Sequence, residues 1–137
     1  MKSPLKLRVE PRKKIEVDGE RQVTRKISVI DNDRNIVEPY DLMCACLDSD
    51  VQTVEGSGAL FMHWLRKIEA GEVGFIDFGG NGWTVNANRD KVWFEGLYSQ
   101  GEGGEVSFAQ FKFALETYLK YLADPQHKPI EVEFPDH

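Results

Sequence analysis

The sequence predicts an α+β fold, in which about three helices pack against a mainly antiparallel twisted sheet. Two patterns indicate this class. Apolar and polar side chains alternate with a period of two in residues 83–87, which is typical of a strand with one buried face. In residues 107–122 the apolar side chains recur at helical spacing behind a strong N-terminal capping signal. We expect the 137 residues to form a single domain.

The N-terminal segment is basic and interrupted by prolines. Residues 6–9 are predicted to form an edge strand, because Pro4 and Pro11 lie near its two ends and proline is tolerated at sheet edges. The alternative is that residues 1–14 remain a loosely ordered arm.

A hairpin is predicted next, with strands at residues 15–17 and 22–30. Asp18-Gly19 lies between the two strands and is a strong signal for a tight turn. The second strand has one mainly apolar face, as expected for a half-solvated antiparallel sheet. Arg25 interrupts that face.

Two helices are predicted in the middle of the chain. Residues 40–47 predict a short helix with Pro39 in its first turn, where the missing N–H leaves no hydrogen bond unmade. Residues 58–70 predict a longer helix that Ser57 would cap. Gly71 is expected to end it, because glycine readily takes the left-handed conformation found after helices.

The C-terminal half predicts a meander of short strands. They are expected at residues 73–78, 83–87 and 91–97, with a last strand at residues 130–134. Residues 101–105 have the sequence Gly-Glu-Gly-Gly-Glu, which predicts a mobile acidic loop.

The last helix has the clearest signature in the chain. Ser107 and Gln110 have the spacing of a capping box, and Val106 with Phe111 has the spacing of a hydrophobic staple. The helix is expected to end before Pro125. Its apolar stripe predicts that it packs on the sheet.

Composition narrows the class of protein. The chain has no apolar run long enough to span a membrane and begins without the apolar core of a secretory signal, so we expect a cytoplasmic protein. Its two cysteines, Cys44 and Cys46, are too close in sequence to face each other on a helix. We expect them to be buried thiols that pack as small apolar groups.

Charge is distributed unevenly along the chain. Residues 1–26 carry nine Lys or Arg against four Asp or Glu, a net charge of +5, whereas residues 27–137 carry eight against nineteen, a net charge of −11. An acidic body disfavours direct nucleic-acid binding, which requires basic surface. It suits a basic protein partner, because complementary potentials speed the encounter.

No residue set predicts catalysis or a cofactor. The chain has no Gly-x-Ser-x-Gly nucleophile elbow, and its histidines lack metal-ligand spacing; they are His63, His127 and His137. The glycine-rich residues 79–82 precede strand-like residues, which indicates a hairpin rather than a phosphate loop. We therefore expect a protein that binds rather than an enzyme.

A metal site is not predicted either. Asp31-x-Asp33-x-Asn35 begins like a calcium loop, but Ile36 stands where that loop requires glycine. The carboxylates are instead predicted to present a negative surface to a basic protein. The predicted partner-binding residues are Asp31, Asp33, Asp41, Asp48, Asp50, Glu55, Glu102 and Glu105.

The C-terminal third resembles the strand–strand–helix ending of small bacterial immunity proteins, which act as antidotes in contact-dependent growth inhibition and other polymorphic toxin systems. Three segments carry the resemblance. They are Trp83-Thr84-Val85-Asn86-Ala87, Lys91-Val92-Trp93-Phe94-Glu95, and Glu105-Val106-Ser107-Phe108-Ala109-Gln110-Phe111 with Tyr118-Leu119-Lys120-Tyr121-Leu122. The resemblance implies a cytoplasmic, non-enzymatic α+β protein that binds a cognate toxin, often a nuclease, and covers its basic active-site surface.

Two other functions remain open at the level of sequence. The first is a small ligand-binding domain or enzyme with a pocket between sheet and helix, near His63, Trp64 or Trp83. The second is a nucleic-acid binder that uses the basic residues 2–26.

Overall fold

The computed structural model describes residues 5–11, 15–17, 20–22, 25–98 and 101–137. Within these residues the chain forms one three-stranded sheet, one four-stranded sheet, a two-stranded ribbon and three α-helices. All paired strands are antiparallel, and one apolar core is shared by both larger sheets and the helices. The predicted α+β class is confirmed.

The first sheet has the spatial order β4–β1–β9. Its strands are β1 (Lys6–Pro11), β4 (Arg25–Ile30) and β9 (Ile130–Glu133). The prediction that residues 6–9 form an edge strand is wrong, because β1 is the central strand. Leu7 and Val9 are fully buried, and β9 arrives from the far end of the chain to cover the second edge. Such a long-range pairing leaves no local trace in the sequence.

The predicted N-terminal hairpin is present only in part. Strand β2 (Ile15–Val17) pairs with β3 (Glu20–Gln22) as a separate ribbon. The predicted Asp18-Gly19 turn lies outside the described residues. The predicted strand at residues 22–30 is divided, since β3 belongs to the ribbon and β4 belongs to the first sheet.

The second sheet is a meander with the order β5–β6–β7–β8. Its strands are β5 (Phe75–Gly79), β6 (Trp83–Asn88), β7 (Lys91–Gly96) and β8 (Glu102–Ser107). The prediction of a mobile loop at residues 101–105 is wrong, because most of this segment belongs to β8 and pairs with β7. Gly104 has a positive φ of 60°, and a Cβ there would lie 2.7 Å from Leu42 Cβ. Glycine at this position therefore allows the helix that carries Leu42 to approach the sheet closely.

Three α-helices cover the core. They are α1 (Asp41–Asp50), α2 (Ala59–Glu69) and α3 (Phe108–Ala123). Edge-to-face packing of Phe61 against Phe78 joins α2 to β5, and the rings of Phe94 and Phe111 lie 5.6 Å apart between β7 and α3. The helices therefore lie on one face of the second sheet.

The predicted N-terminal cap is present in α3 and absent in α2. The capping box of α3 is present, since Ser107 Oγ accepts the Gln110 N–H at 3.0 Å and Gln110 Oε1 accepts the Ser107 N–H at 2.9 Å. Ser57 does not cap α2. It lies in a π-helical turn before that helix, where its hydroxyl accepts the Gln52 N–H at 2.8 Å, and Thr53 caps this turn through its hydroxyl.

Arg25 connects the first sheet to two helices. Its guanidinium donates to the Tyr118 hydroxyl of α3 and to the carbonyl oxygens of Asp48 (3.4 Å) and Val51 (3.2 Å) at the C-terminal end of α1. A cation at this end of a helix also complements the helix dipole. Arg25 therefore interrupts the apolar face of β4 because its side chain makes structural hydrogen bonds to two helices.

Tyr118 makes the fold sensitive to alkali. Burial raises the pKa of its hydroxyl from the usual value of 10.0 to about 12, although the hydrogen bond from Arg25 lowers it. The unfolded chain therefore loses this proton first, and stability is lost as pH rises from about 10 towards about 12. We expect Tyr118→Phe to reduce the pH dependence of unfolding free energy across this window, as measured by urea denaturation.

Tyr98→Phe is the control, because Tyr98 is 74% exposed. It should leave the alkaline profile of the wild-type protein unchanged. An unchanged profile in Tyr118→Phe as well would contradict the role of the buried hydroxyl.

Candidate protein-binding surface

The predicted partner-binding carboxylates occupy different parts of the molecule. Asp50 is buried, with 3% of its surface exposed. Its Oδ1 accepts the Gly82 N–H at 2.9 Å and its Oδ2 accepts the Trp83 N–H at 3.0 Å. Asp50 is therefore a structural carboxylate that fixes the β5–β6 hairpin to α1, and its prediction as a partner-binding residue is corrected.

The turn after β4 uses one of the predicted carboxylates for its own structure. Asp31 Oδ1 accepts the backbone N–H of Asp33 and of Asn35, each at 2.9 Å. The side chain of Asp33 is exposed. Within the described ranges no three His, Cys, Asp or Glu side chains are close enough to hold a metal ion.

Helix α1 brings two predicted residues together. Asp41 and Asp48 both line a groove of about 500 Å³ between this helix and β4, which we call the edge groove. Glu55 is exposed in the turn that precedes α2, away from this lining. Asp41 and Asp48 thus share a surface, and Glu55 does not.

Glu102 and Glu105 belong to a different surface, the face of the second sheet that points away from the helices. Cross-strand pairing places Asp77, Asn86 and Trp93 side by side on this face. We call it the outer face. Its side chains are Phe75, Asp77, Thr84, Asn86, Lys91, Trp93, Glu95, Glu102 and Glu105.

An aromatic pair forms the apolar part of the outer face. The rings of Phe75 and Trp93 are 5.9 Å apart, and Phe75 is 53% exposed although it is a large apolar residue. The Lys91 ammonium lies 5.4 Å from the centre of the Trp93 ring, a cation–π arrangement. Exposed aromatic groups with a polar surround are typical of protein interfaces.

The charge of the outer face is negative. Among its described strand residues, four are carboxylates and Lys91 is the one cation. Lys91 Nζ is 3.4 Å from Glu105 Oε2, so its charge is already partly balanced. The buried Asn86 amide donates to Glu95 Oε1 at 2.9 Å, which orients that carboxylate beside Trp93. The face therefore presents ordered negative charge next to an apolar centre.

Several residues of this surface were not predicted. Asp77 and Glu95 were missed because the prediction selected carboxylates clustered in sequence, whereas these come from separate strands. The signal was available in the alternation of the strands. Phe75-x-Asp77 and Trp93-x-Glu95 place an aromatic and an acidic side chain on the same face.

The cysteines are buried, as predicted. Burial raises the pKa of the Cys44 thiol to about 12, and burial and Asp50 raise the pKa of Cys46 well above its usual value. A thiol nucleophile requires the deprotonated form, so neither group is suited to nucleophilic chemistry near neutral pH.

The residues considered for a ligand pocket and for nucleic-acid binding lie in two other parts of the molecule. His63 is exposed on α2 beside an open depression that also contains Arg66, Lys67 and Glu72. In the basic N-terminal segment, Arg8 is paired with Glu10 and Glu131. Residues 12–14 of that segment lie outside the described residues.

Comparison with known proteins gives no relative from which a function could be carried over: no protein-family model, no curated protein and no solved structure matches the chain. Across the described residues, no helix has both the length and the apolar character needed to cross a membrane. The class defined by fold and surface is an α+β protein with an acidic, aromatic sheet face.

The structural role of Asp50 predicts a loss of stability on substitution. Asp50→Asn leaves one acceptor oxygen for two buried N–H groups, so the free energy of unfolding should fall by about 2–3 kcal/mol. Asp33→Asn, the same substitution at an exposed site, should change it by less than about 0.5 kcal/mol. Urea denaturation measures both values, and equal stability of the two variants would contradict the role of Asp50.

Proposed function

We propose that this protein is an immunity protein that neutralises a cognate bacterial toxin by binding it through the outer face. One observation carries the proposal: Phe75, which is 53% exposed, lies against the half-buried Trp93 on the sheet face that points away from the helices, and four carboxylates share that face. Among the described residues of the face, Glu105 is the carboxylate that is paired with a cation. The resemblance of the strand–strand–helix ending to immunity proteins supports the same function.

The chemistry of the outer face suits a basic protein. Binding energy in protein interfaces is concentrated in a few central residues, among which tryptophan is enriched, and surrounding polar groups exclude water from that centre. Trp93 lies on an inner strand of this face, and Phe75 of the edge strand β5 packs against it; Asp77 and Glu95 share the same face. The surrounding carboxylates would attract a cationic surface and accelerate the encounter.

A nuclease toxin presents the complementary surface, because its active site must bind phosphates and is therefore basic. The chain lacks the basic surface that nucleic-acid binding needs over residues 27–137, whose net charge is −11. Inhibition would follow from covering the toxin's active site, so that no residue of this chain takes part in bond breaking.

The scaffold favours tight binding because little of it has to become ordered. The hydrogen bond from Asn86 already orients Glu95, and the two hydrogen bonds to Asp50 fix the β5–β6 hairpin. Order that exists before binding reduces the entropy lost on association.

Binding to the protein encoded by the neighbouring upstream gene tests the proposal. Trp93→Ala is expected to weaken the affinity by about thirtyfold or more, since tryptophan at an interface centre contributes about 2 kcal/mol. Glu95→Lys is expected to slow association and reduce the affinity by about tenfold. Isothermal titration calorimetry and stopped-flow fluorescence measure the two effects.

Matched controls are available on α2 and α3. Leu60→Ala truncates an apolar side chain that is 48% exposed, and Glu116→Lys makes the same charge change as Glu95→Lys. Both controls should retain wild-type affinity. If the neighbour binds and all four variants bind alike, the outer face is not the interface; if the neighbour neither binds nor is neutralised in growth assays, the function itself is wrong.

A further inference from the structure

The outer edge of β5 carries backbone groups whose direction a neighbouring hydrogen bond defines. The Gly80 N–H donates to the Trp83 carbonyl at 3.2 Å, and this pair continues the register of β5 with β6. Backbone groups of successive strand residues point in opposite directions. The even-numbered residues of β5 therefore bond β6, and the odd-numbered ones direct their N–H and carbonyl groups away from the sheet. These outward-facing residues are Phe75, Asp77 and Gly79.

The pairing of β6 with β7 gives the same assignment. The Leu97 N–H donates to the Gly82 carbonyl at 2.9 Å, so the even-numbered residues of β6 bond β7 and its odd-numbered residues bond β5. The register places those odd-numbered residues opposite the even-numbered residues of β5. In the part of the chain that the structure describes, the outward backbone groups of β5 have no hydrogen-bond partner.

This edge is open along its length. β5 is the terminal strand of its sheet, and its three outward-facing residues, Phe75, Asp77 and Gly79, are all exposed. No described atom lies within 4 Å of the point where a side chain of Gly74, just before the strand, would begin. Helix α2 contacts β5 from the inner face, where it packs on Phe78. An approaching segment would therefore meet the backbone groups directly.

The other edges of the two larger sheets are protected, and β5 is not. Helix α1 packs along β4, and β9 lies between Pro129 and Pro135. The pairing of β8 with β7 contains a register shift, and two glycines of β8 have positive φ angles. Proline, lysine, bulges and covering helices are the usual protection of an edge strand. β5 has a regular register with β6 and contains neither proline nor lysine.

The charge beside the edge selects a basic occupant. Asp77 is the one charged residue of β5, and it has no ion-pair partner among the described residues. The outer face next to it holds three further carboxylates and one cation, Lys91, which lies 3.4 Å from Glu105. The β6–β7 hairpin adds one charge of each sign, Arg89 and Asp90. A lysine or arginine opposite Asp77 would therefore form a favourable cross-strand pair.

A second copy of this chain fits the edge less well. Antiparallel pairing of two β5 strands over their full length would place the two Asp77 side chains directly opposite each other. Like charges in that position destabilise a pair of strands. Such a dimer would also join two outer faces that both have an excess of carboxylates. The occupant that the charges favour is a segment of a different, basic protein.

We propose that the β5 edge binds an extended segment of a basic partner protein as an additional strand of the second sheet, with a lysine or arginine of that segment opposite Asp77. Strand addition at an exposed sheet edge is a general mode of peptide recognition, in which backbone hydrogen bonds supply affinity and side chains supply specificity. Phe75 on the outer face and the half-buried Ile76 on the inner face would contact alternate side chains of the segment. The proposal goes beyond the outer face, because it assigns a role to backbone groups and does not require the partner to be a toxin.

Amide hydrogen exchange of the full chain labelled with nitrogen-15 tests whether the edge is open. The amides of Phe75, Asp77 and Gly79 should exchange quickly in the free protein, whereas those of Ile76 and Phe78, which bond β6, should be protected. Protection of all five amides would show that the edge is already covered. The cover would be a second copy if protection grew with protein concentration, and another part of the chain if it did not, and either result would overturn the proposal.

Two acetylated, amidated peptides then test the occupant. One probe is Lys-Val-Lys-Val-Lys, and the other replaces the three lysines with glutamate. The basic probe should slow the exchange of the three outward-facing amides, and the acidic probe should bind at least about fivefold more weakly. Equal binding of the two probes, or no response of these amides to the basic one, would overturn the proposal.

Variants at position 77 separate the contribution of charge from that of the backbone. Asp77→Asn removes the charge but keeps the outward N–H, and should weaken binding of the basic probe by about two- to fivefold. Asp77→Pro also removes the outward N–H, without removing a bond to β6, and should weaken binding by about tenfold or more. The control is Glu116→Gln, which removes an exposed carboxylate of α3 and should leave binding unchanged. Equal affinity of Asp77→Asn and Glu116→Gln, or wild-type affinity of a folded Asp77→Pro, would contradict strand addition opposite Asp77.

Discussion

The C-terminal turn of α1 is the constraint on which the rest of the structure depends. Arg25 of the first sheet bonds the backbone carbonyls of this turn, and Asp50 within it accepts two N–H groups from the second sheet. Tyr118 of α3 meets the same arginine. A single helical turn therefore joins both larger sheets and the C-terminal helix. A buried N–H or carbonyl group that loses its charged partner costs more free energy than the hydrogen bond contributes when it is made. Arrangements of the layers that break these contacts are therefore disfavoured.

The close packing of the second sheet against α1 explains two of the glycines in that sheet and its hairpins. A Cβ on Gly80 would lie 2.6 Å from Asp50 Cβ, so the hairpin can approach α1 only because position 80 lacks a side chain. Gly104 allows a similar approach of β8 to Leu42 at the other end of the helix. The second sheet is thus held closely against α1 on its inner face, and its opposite face is left to present Phe75, Trp93 and their carboxylates.

Local signals in the sequence predicted local structure well. The capping box at Ser107 and the alternation in residues 83–87 correspond to the start of α3 and to β6, because both patterns act over a few neighbouring residues. The central position of β1 was not predicted, since it depends on pairing with β9 more than a hundred residues away. Whether a strand lies at the edge or in the centre of a sheet depends on such distant pairing partners rather than on the composition of the strand.

The candidate surface was predicted only in part for the same reason. Glu102 and Glu105 are exposed, and their role in partner binding stays a prediction. Asp50 was chosen by its neighbours in sequence, although its carboxylate points inward to the hairpin. Burial of a carboxylate depends on whether the fold supplies donors, and here the donors come from residues 82 and 83. Carboxylates that are close in the sequence can point in different directions, whereas strand register places carboxylates from distant parts of the chain on the same sheet face.

Native-state hydrogen exchange of the Gly82 and Trp83 amides tests most directly whether the α1 turn holds the two sheets together. Both amides donate to the side-chain carboxylate of Asp50 on another element, so their protection reports on the junction. We expect both to exchange with the free energy of global unfolding, as core amides do. Exchange at a much lower free energy, while the amides of β6 and β7 remain protected, would show that the hairpin opens from α1 independently and would contradict the account.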